Sequence, residues 1–409
     1  MRHSPSGKRL LTVLHLVQPV DGGVARVVVD LVRSQVGRGV RALVACPPGG
    51  PLARQAAEAG AEVLRWPAGR APGPALASEV LTAAGLIRRS APDVLHAHSA
   101  KAGLAGRLAV RGRVPTIFQP HAWSFDAMEG RPAGLARTWE RQAARWSTRI
   151  LCVSEAERHA GEAAGIAARW SVIHNGIDLA RFSTDTAADG AAGHMPAPGS
   201  AAGNPDVRTE ARPGVPAFEG PPPGAPLVVC VGRLCRQKGQ DVLLRAWPAV
   251  TRSVPGARLV LVGEGPEGER LRHLAPPGVL FAGAVTDTRP WLHAADVVVL
   301  PSRWEGMALA PLEAMACGTP VVLSDVSGAR ESLPPGDAAH CLVPPQEPAA
   351  LASALTALLC DRALRESLGR RARSHARAAH DVRTTAAAVL DLYREVLGSP
   401  RPAMRECTQ

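Results

Sequence analysis

The first candidate site is a loop and short helix that carry two carboxylates eight positions apart, Glu305 and Glu313. The segment 301–320 follows an apolar predicted strand, and we expect its helix to begin near Met307 or Ala308. The free N–H groups and the positive dipole end of such a helix suit a diphosphate. The carboxylates would accept hydrogen bonds from hydroxyl groups. An isolated pair is better explained by a plain helix N-terminus, with Glu305 complementing the dipole and Glu313 in solvent.

A second candidate site follows the apolar strand predicted at 227–231, where Gly232 opens a turn before a predicted helix. Arg233 and Lys238 lie in this turn, and a guanidinium fork and an ammonium point charge both suit a diphosphate. Many of the other basic residues of the chain are ordinary surface charges. Only the position at a strand end distinguishes Arg233 and Lys238 from them. A pair of matching loops in one domain favours a ligand site over a plain helix terminus.

The N-terminal half carries weaker candidates at strand ends. Gly22 and Gly23 follow the first predicted strand, where a double glycine allows close backbone approach to a ligand or simply forms a turn. His98 ends one strand and His121 follows another, so both would lie at the carboxyl edge of a parallel sheet. A single histidine is more often a satisfied core or loop residue. We interpret His96, which is inside its strand, as structural.

Short apolar strands that alternate with helical stretches position these residues in both halves of the chain. This alternation is typical of parallel, doubly wound sheets. We therefore predict an α/β fold of two doubly wound Rossmann-like domains that face each other across a cleft. The predicted parts are an N-terminal domain at 1–183, an Ala/Gly/Pro-rich flexible linker or insertion at 184–226, a C-terminal ligand-binding domain at 227–383, and a C-terminal helix and tail at 384–409 that could cross back to the first domain.

The charge of the chain restricts its partners. Its 409 residues carry a formal net charge of +11, with a pI near 10.1. A strongly cationic protein favours anionic partners such as phosphorylated ligands and membrane surfaces. We predict no nucleic-acid partner, because the arginines are dispersed and the chain has only one Tyr and five Phe. The eight cysteines form no CxxC pair and no zinc spacing with histidine, which indicates a reduced compartment.

The N-terminal segment superficially resembles a signal peptide. His15 and Gln18 interrupt its apolar stretch, however, and no small-residue cleavage site follows, so we interpret it as a first strand. No run approaches the ~18 apolar residues that span a bilayer. We therefore predict a cytoplasmic protein that could bind peripherally to the inner face of the plasma membrane.

Together these motifs resemble the family 4 glycosyltransferases of the GT-B fold, and the resemblance covers nearly the whole chain outside the predicted linker. The resemblance implies a retaining transfer from a nucleotide-diphosphate sugar. It also implies no cofactor and no obligatory metal, because Arg233 and Lys238 would replace the cation that other transferases use. The matching motifs, in the family's order, are 22–23, 98–103, 153–155, 174–178, 231–233 with 238–239, 263–266 and 305–320.

The resemblance assigns roles to individual residues. Glu313 would bind the ribose, Glu305 and the backbone after it the donor sugar, and Val285 would lie near the base. The catalytic candidates are His121, Arg233, Lys238 and Glu305. The donor-binding candidates are Gly22, Gly23, Arg233, Lys238, Val285, Glu305, Gly306, Met307, Ala308, Leu309 and Glu313. The candidates for the acceptor side are His98, Lys101 and Trp123.

The sequence departs from the family pattern at Ala122, where many members have glycine, and at Arg26, where many have glutamate. These changes leave the donor-diphosphate site intact and leave the sugar and the acceptor open. Our leading hypothesis is transfer to a lipid-linked or polysaccharide acceptor in bacterial exopolysaccharide or cell-envelope glycan synthesis. The alternatives are transfer to a soluble small molecule and a non-catalytic nucleotide-sugar-binding protein.

Overall fold

A computed structural model describes residues 10–182 and 225–398, and the chain divides into two compact units. Among the described residues, unit 1 comprises 10–176, 304–308 and 382–398, and unit 2 comprises 177–182, 225–303 and 309–381. Residues 184–224 of the predicted linker and the tail from 399 to 409 lie outside the described residues.

Unit 1 is built on one seven-stranded parallel sheet. Its strands are β1 (Thr12–Val17), β2 (Arg41–Cys46), β3 (Glu62–Arg65), β4 (Val94–His98), β5 (Thr116–Gln119), β6 (Arg149–Cys152) and β7 (Trp170–Val172). They lie in the order β3-β2-β1-β4-β5-β6-β7. Its helices are α1 (Gly22–Gly37), α2 (Leu52–Glu58), α3 (Leu76–Ser90), α4 (Ser99–Val110), α5 (Gly130–Ala143), α6 (Glu155–Ala163) and α16 (Val382–Gly398), with 3-10 helices at Ser124–Ala127 and Ala144–Trp146.

The central strands of unit 1 are buried on both faces, which explains their nearly continuous apolar sequences. On one face, Leu14 and Leu95 pack in a cluster with residues of α3 and α4. Side chains alternate between the two faces of a strand, so the histidines of β1 and β4 point to the opposite face. The register pairs His15 with His96, and His98 with Val17. This pairing gathers imidazole rings in the interior.

Unit 2 is built on a six-stranded parallel sheet. Its strands are β8 (Leu227–Val231), β9 (Arg258–Val262), β10 (Val279–Gly283), β11 (Val297–Leu300), β12 (Val321–Ser324) and β13 (Leu342–Val343), in the order β10-β9-β8-β11-β12-β13. Its helices are α7 (Leu179–Phe182), α8 (Gln240–Ser253), α9 (Gly268–Leu274), α10 (Arg289–Ala294), α11 (Leu309–Ala316), α12 (Ala329–Ser332), α13 (Ala338–Cys341), α14 (Pro348–Cys360) and α15 (Arg362–Ala379), with a 3-10 helix at Arg236–Lys238.

The fold class predicted from the alternation of strands and helices is confirmed for both units. The strands that the sequence did not predict are β3 and β13, and both lie at sheet edges. An arginine and a glutamate bound the two apolar residues of β3, and β13 has only two residues, so neither gives an apolar run. The observed division differs from the predicted boundaries in placing 304–308 in unit 1 and 177–182 in unit 2. It assigns α16 to unit 1, the domain to which the predicted C-terminal helix could cross back.

Within the described ranges, seven cysteines are free and six of them are buried. No helix in the same ranges combines the length and apolar character needed to cross a membrane.

Candidate functional site

The cation loop of unit 2, residues 232–239, follows β8 and contains Arg233 and Lys238. A short 3-10 helix in this loop ends at Gly239, which has a φ of +65°. A Cβ atom at Gly239 would lie only 2.0 Å from the carbonyl oxygen of Pro301. Because only glycine permits this approach at that φ, the loop after β8 packs directly onto the loop after β11.

An ion pair joins the same two loops. Arg303 donates through both terminal nitrogens to the carboxylate of Asp241, with each bond 2.8 Å long. Its backbone amide donates to the carbonyl of Gln237, also at 2.8 Å. Burial alone would raise the pKa of Asp241, but the hydrogen bonds and charge of Arg303 hold that pKa below its usual value. Arg303 was not predicted as a site residue, yet it positions the cation loop.

Two glycines bring the loop after β9 against the cation loop. A Cβ atom at Gly263 would lie 2.2 Å from the carbonyl oxygen of Gly232, and one at Gly265 would lie 2.3 Å from the carbonyl oxygen of Leu234. Gly263 also has a φ of +137°. The glycines in the 263–266 motif therefore allow two backbone segments to pack closely at the carboxyl edge of the sheet.

Helix α11 begins at the same edge, at Leu309, which is one or two residues later than predicted. Glu313 is only 7% exposed, so it is not the solvated helix residue of the simpler interpretation. Val285 is half-buried just beyond the end of β10. Unit 2 thus places Arg233, Lys238, Val285, Leu309 and Glu313 after the carboxyl ends of its strands.

In unit 1, the 304–308 loop lies against His121. A Cβ atom at Gly306 would lie 3.0 Å from the backbone of His121 and 2.8 Å from the side chain of Val153. The hydroxyl of Ser154 donates to the carbonyl of Gly306 at 3.1 Å. Glycine is needed at position 306 because a side chain would collide with the residues that carry the histidine.

The 304–308 loop is also anchored at Met307, whose carbonyl accepts a 2.8 Å hydrogen bond from the Asn175 side-chain amide. Glu305 is buried, at 8% exposure, and Ala308 is half-buried. Residues predicted to hold the donor sugar and the predicted catalytic His121 therefore belong to one packed cluster in unit 1.

Glu157, which was not among the predicted site residues, stabilises the turn that carries His121. Its carboxylate accepts hydrogen bonds from the amide of Ala122 at 2.6 Å and from the amide of Val153 at 2.8 Å. His121 and Ala122 have φ values of +57° and +99°, and such values are unfavourable for residues with a side chain. Ser154 caps α6 by accepting from the Glu157 amide. This Ser-x-x-Glu capping pattern was the available sequence signal.

His98 and His121 are in direct contact. His98 Nδ1 lies 3.0 Å from His121 Nε2. Burial and the neighbouring histidines lower the pKa of His98 well below its usual value, and desolvation lowers the pKa of His121 to about 3. Both rings are therefore neutral near pH 7. His96 is fully buried, and its Nδ1 atom lies 2.7 Å from the Tyr393 hydroxyl oxygen. This position is consistent with a structural residue.

The structure buries all three residues of the predicted acceptor-side group, His98, Lys101 and Trp123. Lys101 is 4% exposed, and its ammonium lies 2.5 Å from the carboxylate of Glu79. Trp123 is 1% exposed, and its indole N–H donates to the carbonyl of Glu157 at 2.7 Å. His98 is fully buried. The sequence placed these residues near strand ends but did not show that their polar atoms are bonded inside unit 1.

Gly22 and Gly23 are exposed at the N-terminus of α1, directly after β1. Gly22 has a φ of +72°, and the space around its missing Cβ is open. Glycine is therefore favoured at position 22 by its positive φ and not by a lack of space for a side chain. The N-terminus of this 16-residue helix has the backbone N–H groups that an anion prefers.

Comparison with known proteins identifies the family. The profile described as Glycosyltransferase Family 4 matches residues 21–181, and the profile described as Glycosyl transferases group 1 matches residues 225–361. The D-inositol 3-phosphate glycosyltransferase of Kineococcus radiotolerans is 31% identical over 349 residues, which cover 75% of this chain and 72% of that protein. The chain belongs to glycosyltransferase family 4.

Other relatives of this family 4 glycosyltransferase differ in substrate. The GDP-mannose-dependent alpha-(1-6)-phosphatidylinositol monomannoside mannosyltransferase of Mycobacterium tuberculosis is 38% identical over 183 residues, which cover 41% of this chain and 47% of that protein. Among solved structures, HepE of Anabaena, crystallised with UDP and glucose, has a TM-score of 0.72 at 21% identity and covers 94% of this chain and 100% of its own. This likeness confirms the GT-B fold class.

Proposed function

We propose that this family 4 glycosyltransferase transfers a sugar, with retention of anomeric configuration, from a nucleotide-diphosphate donor to a lipid-linked or polysaccharide acceptor. The observation that carries the proposal is the carboxyl edge of the unit 2 sheet. Arg233, Lys238 and the start of α11 lie there on loops fixed by close glycine contacts.

This arrangement fits the charge that develops during sugar transfer. Negative charge grows on the leaving nucleoside diphosphate as its bond to the sugar breaks. Cations and helix N–H groups that are already in place stabilise that charge more in the transition state than in the ground state. The rigid anchoring of the cation loop by Arg303 limits the reorganisation that this stabilisation requires. No metal is required in this proposal.

The names of the relatives support a nucleotide-sugar donor. The mycobacterial relative is named as GDP-mannose-dependent, and a relative from Escherichia coli is named as a UDP-Gal-dependent galactosyltransferase. The HepE structure was determined with UDP. These proteins use different nucleotides, so the nucleotide for this chain must be found by experiment.

The donor is tested by screening UDP-, GDP- and ADP-sugars for thermal stabilisation and for slow release of nucleoside diphosphate. A bound donor raises the melting temperature by mass action. We expect one nucleotide class both to stabilise the protein and to be hydrolysed, with or without EDTA. Stabilisation without hydrolysis or transfer would support the non-catalytic binding protein instead, and loss of activity in EDTA would contradict the metal-free mechanism.

Retention is tested on the product. Proton NMR of the first product formed gives the anomeric configuration, which should match that of the donor sugar. Inversion would contradict this part of the proposal without affecting the family assignment.

A membrane-bound acceptor is consistent with the basic surface of unit 2. Arg370, Arg373, Ser374 and Arg377 line one surface cleft on α15. Their spacing of three, four and seven positions places them on one helix face. Together with the net charge of +11, this face could bind anionic headgroups on the inner face of the plasma membrane.

Co-sedimentation with vesicles tests the membrane interaction. The protein should bind phosphatidylglycerol vesicles at low salt and lose binding at high salt, because electrostatic attraction is screened. The double variant Arg370→Glu/Arg377→Glu should bind these vesicles more weakly than wild type. The control Arg33→Glu/Arg54→Glu changes two exposed arginines of unit 1 and should reduce vesicle binding less. Absence of binding to anionic vesicles at low salt would contradict the membrane-bound acceptor.

A soluble acceptor is the second candidate, and one comparison favours it. The relative from Kineococcus radiotolerans, which matches 75% of this chain, is named for a soluble inositol phosphate. Radiolabelled transfer to total bacterial lipid, to glycan and to a panel of polar small molecules separates the two candidates. Label in the organic phase supports the leading proposal, and label only in small polar products supports the second.

A further inference from the structure

A continuous chain of hydrogen bonds runs through the interior of unit 1 and ends at His121. Gln35, on α1, places its Oε1 atom 2.9 Å from His15 Nε2. His15 Nδ1 lies 3.0 Å from His98 Nε2. His98 Nδ1 lies 3.0 Å from His121 Nε2. We call these four residues the histidine chain. Only His121, at its end, has appreciable exposed surface.

The other end of the histidine chain is fixed by α16. The Gln35 amide nitrogen donates to the Tyr393 hydroxyl at 3.3 Å, and this hydroxyl lies 2.7 Å from His96 Nδ1. In a side-chain amide the NH2 group only donates hydrogen bonds and the carbonyl oxygen only accepts them. The structure places the Gln35 nitrogen on the Tyr393 hydroxyl and the accepting oxygen on His15.

The direction of every bond in the chain follows from this oxygen. An acceptor at Gln35 requires the proton of His15 to be on Nε2, which leaves His15 Nδ1 as an acceptor. His98 must then carry its proton on Nε2 and accept at Nδ1. His121 must likewise donate from Nε2. A neutral imidazole has only one N–H, so the tautomers of the three rings are coupled.

The burial of the rings favours neutral imidazoles over imidazolium cations. Burial lowers the pKa of His15 to about 4 and that of His98 well below its usual value. Desolvation lowers the pKa of His121 to about 3. Each ring therefore carries a single proton at neutral pH, which is the condition for a directed chain.

A metal site is a weaker interpretation of the same rings. Ring nitrogens of His15, His96 and His98 lie within 4.8 Å of one another. Five of the six nitrogens, however, are already in hydrogen bonds with Gln35, Tyr393 or another histidine. Both nitrogens of His15 and both of His98 are engaged, so a metal ion held by all three rings would have to displace hydrogen bonds of these two residues.

We propose that Gln35, acting through His15 and His98, fixes His121 as the tautomer protonated on Nε2, so that its Nδ1 lone pair accepts a hydrogen bond from a hydroxyl of the donor sugar. Gln35, His15 and His98 are then positioning residues, and His121 alone contacts substrate. The role of the lone pair rests on the proposed function, but the tautomer of His121 can be measured without any activity.

The decisive experiment is long-range proton–nitrogen NMR of the intact protein labelled with ¹⁵N-histidine, near pH 7.5. The spectrum distinguishes the two neutral tautomers and the imidazolium by their nitrogen shifts. His121 is assigned by the signals that disappear in His121→Gln. We expect wild-type His121 to be protonated on Nε2. A proton on Nδ1 or a doubly protonated ring would overturn the proposal, and so would one zinc per chain in the purified protein.

Variants test the origin of the tautomer. Gln35→Leu removes the accepting oxygen and should give His121 a mixture of tautomers, with a loss of roughly 3- to 10-fold in kcat/KM for the donor, the range expected for one hydrogen bond. Gln35→Glu restores an acceptor and should restore the Nε2 tautomer. Val32→Ala, at a fully buried position of the same helix, controls for loss of stability and should leave the tautomer unchanged.

The outcomes separate this proposal from the proposed function. An unchanged Nε2 tautomer in folded Gln35→Leu contradicts the role of Gln35, whatever the activity. If no variant and no wild-type sample transfers sugar, the proposed function fails while the NMR result still decides the tautomer. If Gln35→Leu does not fold, the wild-type spectrum and Gln35→Glu still test the direction of the chain.

Discussion

The carboxyl edge of unit 2 and the histidine chain of unit 1 are built by opposite means. In unit 2, Arg233 and Lys238 lie half-buried on loops that glycines pack together. In unit 1, neutral rings are buried and joined by directed hydrogen bonds. A charged edge suits a leaving diphosphate, and a neutral, directed acceptor suits a sugar hydroxyl. The two regions should therefore respond differently to substitution and to pH.

The largest effect should come from Gly239→Ala, which breaks the packing of the unit 2 edge. The new Cβ would lie 2.0 Å from the Pro301 carbonyl oxygen, at a φ of +65°. We expect a loss of about 3 kcal/mol or more in the free energy of unfolding and little transfer activity. The control is Gly39→Ala, with a φ of +78° and open space, which should lose about 1 kcal/mol. Urea unfolding measures both, and equal losses would contradict the packing argument.

Lys238→Ala should leave the fold intact and remove charge from the same edge. Loss of one preorganised donor to a leaving group lowers kcat by roughly 100-fold or more. Arg236→Ala, an exposed position in the same loop, should have a much smaller effect. Steady-state kinetics at saturating donor measures the loss, and unchanged turnover in Lys238→Ala would refute its role.

Acid should weaken unit 1 before unit 2. His15 has a folded pKa of about 4 against its usual 6.5, so the unfolded state binds more protons in this interval. The stability contributed by the neutral ring is present above pH 6.5 and is lost as the pH falls toward 4, by up to about 3 kcal/mol for His15. The described histidines whose pKa is lowered by burial include four in unit 1 and one, His293, in unit 2. The pKa of Asp241 in unit 2 is lowered, so its contribution is lost only below about pH 3.8.

Hydrogen exchange by mass spectrometry, corrected for the intrinsic rate, compares the two units near pH 7.5 and pH 5. Peptides from β1 and β4 should lose more protection than peptides from β8 and β9. Equal losses in both sets would contradict the assignment of neutral rings to unit 1.

The sequence predicted the sheets and the position of the cation loop and of His121 after strand ends, because apolar runs, glycines and charges at strand ends are local signals. It missed the histidine chain, since His15, Gln35, His98 and Tyr393 meet only through the strand order and the return of α16. It did not indicate that Lys101 is buried, because a lysine near a strand end carries no sign of its buried partner, Glu79.

The smallest effect should come from Ala122→Gly. Ala122 has a φ of +99°, and glycine relieves this strain, so we expect a gain of about 1 kcal/mol. Ala164→Gly, at a position with a φ of −72°, should instead lose up to about 1 kcal/mol. Thermal unfolding compares the two, and destabilisation by Ala122→Gly would show that the turn is not strained.

Isothermal titration calorimetry tests the division of roles between the two regions most directly. The ligand is the nucleoside diphosphate that the donor screen identifies. The ligand lacks the sugar, so only the unit 2 edge should respond to its charge. We predict that Lys238→Ala weakens binding at least about tenfold, equivalent to about 1.4 kcal/mol, whereas Gln35→Leu leaves the affinity unchanged. Equal affinity in wild type and Lys238→Ala, or a loss in Gln35→Leu as large as that in Lys238→Ala, would contradict the account.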